Sequence, residues 1–287
     1  ISIGFSTTKG MLSAGSGITD IQGHAWVELR SLESGNATVK ASTANDATGV
    51  SSSVNFDADA STAKVTSFTA DRYDATANGK DNVTLSAKLQ DINGNPVSGV
   101  EVSFITSLGN LNTAKAMTRQ DGIAQVVLNS TKIGGAKVTA VSQTDANGKQ
   151  LEVQFSADSS TARVTSLTSG ATEALANGKE SILLTATLMD ALGNPVSATE
   201  ITFASNLGAL EANSVITDKQ GLAQTRIIST RSGSATVSAT ARTDNTGQNI
   251  TLAFNADAST ASVISLTGDK QKAVANGKDA IKLTAIL

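Results

Sequence analysis

The segment Ala-Asn-Gly-Lys begins at Ala77, at Ala176 and at Ala275, so it returns after 99 residues each time. The pattern Phe-x-Ala-Asp-x-Ser-Thr-Ala keeps the same interval from Phe56 to Phe155 to Phe254, and Gly-Asn-Pro-Val-Ser runs from Gly94 and again from Gly193. No insertion separates the copies. This period is far longer than the roughly 20–50 residues of a solenoid unit that completes its core on its neighbours. Each copy is therefore a domain with its own core. In phase, residues 65–163 and 164–262 are two complete copies, residues 1–64 are the later strands of a copy and residues 263–287 are the start of a further one.

Within a copy the hydrophobic pattern has period two, which marks half-buried strands. Val83, Leu85, Ala87 and Leu89 share one face, as do Val100, Val102 and Phe104, then Ala124, Val126 and Leu128. Ala136, Val138 and Ala140 follow, then Leu151, Val153 and Phe155. Between these runs stand Asn-Gly-Asn-Pro, Leu-Gly-Asn-Leu, Gln-Asp-Gly and Ala-Asn-Gly-Lys, whose glycines and prolines supply the dihedrals of tight turns. No stretch has helical spacing. About seven short strands per repeat, with frequent turns, predict an all-β chain of tandem immunoglobulin-like β-sandwich domains. The chain contains no cysteine, so the predicted core is held by aliphatic packing without a disulfide.

The segments joining the copies, residues 61–69 and 160–168, contain neither Gly nor Pro and are rich in β-branched residues. They differ from flexible Gly/Ser linkers, and the last strand of one domain is expected to run almost directly into the first strand of the next.

The remaining chemistry is sparse. A formal net charge of -3 supplies no basic field to gather phosphate, which argues against nucleic acid and acidic membranes as partners. No run approaches the roughly 20 apolar residues of a membrane helix, so no membrane insertion by this segment is expected, and any export signal is expected to lie outside these residues. His24 is the only histidine, and the aligned positions are Ile123 and Leu222. Without a base oriented by a third group there is no triad logic, and the chain reads as non-enzymatic. On the strand expected over residues 24–30, Ala25, Val27 and Leu29 face inward, leaving His24 and Trp26 outward as candidate contacts for a partner. Asp59, Asp158 and Asp257 recur at the junctions, one carboxylate each, whereas calcium takes about 6–8 oxygen ligands. They read as caps or side-chain turns through the following serine, as do Asp91 and Asp190 before the proline turns, and neither a cofactor nor a metal site is expected.

In order along each copy, Ala-Asn-Gly-Lys-(Asp/Glu), Asp-x-x-Gly-Asn-Pro-Val, Val-x-Phe, Leu-Gly-x-Leu and Gly-x-Ala-x-Val-x-Ala resemble the bacterial immunoglobulin-like domains of group 1. These are found in tandem in the intimin/invasin family of outer-membrane adhesins. The resemblance covers essentially the whole chain and implies an inverse autotransporter, with a barrel in the outer membrane and a string of such domains projecting from the bacterial cell surface. It implies that this segment is the stalk, anchored through regions outside it, and that a host-cell or matrix protein is bound by a tip domain elsewhere. The alternative is that the repeats themselves bind a host receptor, a matrix protein or another copy of the stalk by self-association.

Overall fold

The computed structural model describes residues 1–287, whose regular secondary structure is strand apart from three short 3-10 turns. The chain divides into two compact units, Ile1–Ser156 and Ala157–Leu287, which are described separately. No helix is long and apolar enough to cross a membrane.

In the first unit, residues 65–156 form a sandwich of two sheets. One sheet has the order Asn110–Leu111, Ile123–Asn129, Val83–Gln90, Lys64–Ala70. The other has the order Lys115–Met117, Glu101–Thr106, Gly134–Ser142, Asp145–Ser156, Asp74–Thr76. Pairing is antiparallel except where Asp74–Thr76 lies parallel to Asp145–Ser156. The strand count exceeds the expected seven for two reasons. The first strand leaves one sheet after Ala70 and resumes on the other, and the pairings at residues 110–111 and 115–117 are too short to produce an alternating signal.

The inward positions read from the sequence form the core. Val83, Leu85, Ala87, Leu89, Ala124, Val126 and Leu128 from one sheet meet Val102, Phe104, Ala136, Val138, Ala140, Val153 and Phe155 from the other, none more than 2% exposed. Val100 and Leu151 pack only against the rim of this cluster. Each buried Val, Leu or Phe contributes about 1.5–3 kcal/mol, which lets the domain dispense with a disulfide.

In the second unit, residues 157–255 repeat the architecture strand for strand, with sheets of four and five strands. Most core exchanges between the copies are aliphatic, such as Val83 for Ile182 and Val153 for Leu252, but one position turns polar: Thr225 stands where the first copy has Val126. Its hydroxyl donates to the Ala212 carbonyl at 2.9 Å and accepts from the Ala212 amide at 3.1 Å, so this buried polar group is satisfied. Beyond it, Ser265–Gly268 pairs with Leu283–Ile286, and Ser265 opposite Ile286 reproduces the register of Ser67 opposite Lys88.

Residues 1–64 form the sheet Ser16–Ile18, Ser2–Thr7, Gly35–Thr43, Asp46–Phe56, with a separate pairing of Met11–Leu12 to Leu29–Arg30. The strand expected over residues 24–30 is reduced to Leu29–Arg30. In the complete copy the matching strand is laddered along Val83–Gln90, and residues 1–64 contain no counterpart of that partner.

Two turn positions show how strongly the backbone selects its residue. At Gly148 and Gly247, with φ near 52° and 54°, a Cβ would lie within 1.9 and 2.0 Å of the carbonyl oxygens of Ala140 and Ala239. The bulged hairpin there admits only glycine. After the proline turn, Gly99 has φ 72°, and the second copy has Ala198 at the same place with φ 53°, the only non-glycine residue with positive φ. Nothing lies within 4 Å of a Cβ built on Gly99, so the cost at Ala198 is purely conformational. Ala198→Gly is expected to stabilise the second unit by about 0.5–1 kcal/mol and Gly99→Ala to destabilise the first by a similar amount. Urea unfolding of each variant measures both.

Candidate functional site at the domain junction

The most organised polar chemistry in the molecule lies where one repeat passes into the next. After Asp46–Phe56 the chain makes the 3-10 turn Ala60–Thr62 before entering Lys64–Ala70, so the strands do not run directly into each other as the glycine-free sequence suggested. Asp59 caps this turn, its Oδ1 accepting from the Ser61 amide at 3.0 Å and the Ser61 hydroxyl at 2.6 Å. Asp158 and Asp257 make the same pair of bonds to Ser160 and Ser259. The Ser61 and Ser259 hydroxyls, with the backbone amides beside them, hold the Asp59 and Asp257 carboxyls below the usual carboxylate value.

Asp91, 6% exposed, organises the turn that carries Pro96. Its Oδ1 accepts from the Asn93 amide at 2.9 Å and the Asn95 amide at 2.8 Å. Its Oδ2 accepts from the Asn95 side-chain amide at 2.9 Å and from the Asp59 backbone amide at 3.1 Å. One carboxylate thus shapes the turn and grips the incoming linker. Burial works to raise this carboxyl, but the side-chain and backbone bonds from Asn95, with those from Asp59 and Asn93, outweigh it and hold it low. In the second unit Asp190 accepts from Leu192, Asn194 and Asp158 in the same way, and its carboxyl is lowered against the same opposing burial.

A second carboxylate holds the linker from the other side. Asp145 Oδ2 accepts from the Val65 amide at 3.0 Å, and the Thr144 hydroxyl donates to the Ala63 carbonyl at 2.7 Å. Asp244 and Thr243 repeat these bonds on Val164 and Ala162. The sequence reading missed this pair, although Asp46, Asp145 and Asp244 recur in the same 99-residue register.

Within the first unit the preceding copy is joined to the turn through Asn95. Its side-chain amide donates to the Leu32 carbonyl at 2.8 Å, and its Oδ1 accepts from the Ser34 amide at 2.9 Å. Lys9 steadies the same loop by donating to the Ser34 carbonyl at 2.6 Å.

The structure brings His24 and Trp26 to no such cluster. Both are exposed, Trp26 at 79%, and the nearest charged partner of His24 is Asp20, 3.7 Å from its Nδ1. A cavity of about 640 Å³ lined by residues 7–11 and 30–33 includes neither. In the complete copy the equivalent place seats the Ala-Asn-Gly-Lys turn, where the Gly79 amide donates to the Ser130 carbonyl. No group of three or more His, Asp or Glu side chains is placed to hold a metal ion.

Because the Asp91, Asp190 and Asp244 carboxyls are lowered in the folded chain, the unfolded chain binds more protons as pH falls through the ordinary value of 3.8. The stability these three carboxylates contribute is therefore fully present above that range and is lost as the pH drops below 3.8 toward the folded values. Asp91→Asn flattens this acid slope in the first unit and costs about 2 kcal/mol at neutral pH, because one of the oxygens that accept is replaced by a donor. Denaturant unfolding between pH 2.5 and 7 checks both expectations.

The model of the bacterial Ig-like domain (group 1) matches residues 65–156 and 164–255, more than half of the chain. The inverse autotransporter adhesin YeeJ of Escherichia coli (strain K12) is 31% identical over 230 residues, covering 78% of this chain and 10% of the relative. Intimin of Citrobacter freundii is 32% identical over 184 residues, covering 63% of this chain and 19% of the relative. The chain therefore spans only a small part of the length of these proteins. Among solved structures, invasin, described as a bacterial integrin-binding protein, matches with a TM-score of 0.59 at 19% identity, over 99% of this chain and 60% of that one. The Escherichia coli adhesin FdeC matches with a TM-score of 0.53 at 17% identity, over 89% of this chain and 85% of that one. Both likenesses concern the fold. With two matched copies, the Gly-Asn-Pro and Ala-Asn-Gly-Lys turns returning at one interval, and adhesin relatives above 30% identity, this chain belongs to the bacterial Ig-like domains of group 1.

Proposed function

We propose that residues 1–287 are a non-enzymatic spacer segment of a bacterial cell-surface adhesin, built from repeats over residues 65–163 and 164–262 with partial copies on either side. The spacer holds an adhesive tip, carried elsewhere in the same protein, away from the outer membrane in which other regions anchor it. The observation that carries this reading is the junction in the first unit, where Asp91 and Asp145 fasten the linker to the following domain and Asn95 fastens that domain to the preceding loop. A binding module needs a shaped surface, whereas a spacer needs junctions with defined geometry. The relatives named as adhesins support the setting, and the lack of any recurring reactive cluster supports a mechanical rather than a chemical role.

A second reading rests on His24 and Trp26. An exposed tryptophan is the side chain most often found at the centre of a binding hot spot. In this reading the repeats themselves bind a host receptor, a matrix protein or another stalk.

One experiment separates the two. Purified residues 1–287 and the Trp26→Ala variant are titrated onto host cells, onto matrix proteins and against themselves. The spacer reading expects no saturable binding by either protein. Saturable binding that Trp26→Ala abolishes assigns adhesion to this segment and overturns the spacer reading.

A further inference from the structure

Asn95 reaches the preceding copy only through backbone atoms, the Leu32 carbonyl and the Ser34 amide. The side chains of that loop turn away from the contact, Leu32 being 75% exposed and the Glu33 side chain 80%. What shapes the loop is Ser31, whose hydroxyl donates to the Glu33 carbonyl at 2.8 Å and accepts from the Glu33 amide at 3.0 Å. The complete copies fold their own loops with the same two bonds, Ser130 to Lys132 and Ser229 to Arg231, although Thr131 and Thr230 stand where the first loop has Leu32, and Lys132 and Arg231 where it has Glu33. The Asp-x-x-Gly-Asn-Pro turn is equally uniform. Asp91 and Asp190 each receive the backbone amide of the following asparagine at 2.8 Å and its side-chain amide at 2.9 Å.

From this we infer that the serine-shaped loop of residues 31–34 is a docking site for Asp-x-x-Gly-Asn-Pro turns as a class, the turn at Asp91 being its occupant here and a turn of the same chemistry from another repeat being equally acceptable to it. Recognition reads backbone geometry, with the asparagine as plug and the loop carbonyl and amide as socket. The partner is thus a second domain of the same chemistry, and the order of the copies in an array is immaterial to how they join. The inference deepens the spacer reading and rests on it, because a stalk assembled from interchangeable units needs a joint that ignores side-chain variation.

The absence of cysteine makes the test direct. Ser51→Cys and Lys137→Cys, both at exposed positions, accept spin labels on either side of the first junction of the full chain. The width of the interspin distance distribution reports how firmly the joint is held. Leu32→Thr combined with Glu33→Arg gives the first loop the residues of the Ser229 loop and is expected to leave the width unchanged. Asn95→Ala removes the plug and Ser31→Ala unshapes the socket, and each is expected to broaden the distribution roughly twofold while circular dichroism remains that of the folded chain. If the double substitution broadens the distribution as much as Asn95→Ala does, side chains are being read and the inference is overturned, although the spacer reading stands. If Asn95→Ala leaves the width unchanged, the plug is not what joins the domains and the inference is equally overturned. Saturable binding in the titration above is the separate result that removes the spacer reading.

Discussion

Two inward-turned carboxylates in each complete repeat keep the remaining structure in place. Asp91 and Asp145, and their counterparts Asp190 and Asp244, each accept a backbone amide from the linker that enters their domain. An aspartate accepting several amide hydrogens is charge-assisted and short-ranged, so it fixes direction as well as distance. The linker thereby becomes part of the domain that follows it, and the 3-10 turn at Ala60–Thr62 has one conformation to occupy.

The sandwich behind these contacts needs little beyond geometry. Small aliphatic residues fill the space between the sheets, and the few aromatics pack among them, as in the tilted Phe68 and Phe104 pair with centroids 5.8 Å apart. The outer faces carry polar ladders such as Arg119 to Gln125 to Ser86, whose members satisfy one another. At the junction in the first unit, by contrast, Asp91, Asn95 and Asp145 gather side-chain hydrogen bonds onto the backbone of the linker and the preceding loop.

Much of the fold was legible because strand alternation and turn glycines are local signals. Val83, Leu85, Ala87 and Leu89 could be assigned inward from their spacing alone, and all are fully buried. The cap at Asp59 was legible for the same reason, since its partner Ser61 is two residues away. What escaped were bonds between residues far apart in sequence. Asp145 meets Val65 across 80 residues, and Asn95 meets Leu32 across 63. Asp145 and Asn95 both recur in the 99-residue register, but recurrence does not name a partner, and the strand expected over residues 24–30 is confined to Leu29–Arg30 because a strand is defined by its ladder partner as much as by its own pattern.

The repeat length is written in the residues as a recurring interval, and the all-β class, the inward residues and the turns are written there because each depends on neighbours within a few positions along the chain. Folding was needed to reveal that the first strand is shared between two sheets, that Ala198 adopts a glycine's dihedral, and that an asparagine beside a proline joins one domain to the preceding loop. These depend on which backbone amides and carbonyls come within about 3 Å of a side chain, and that is settled only when the two sheets close on each other.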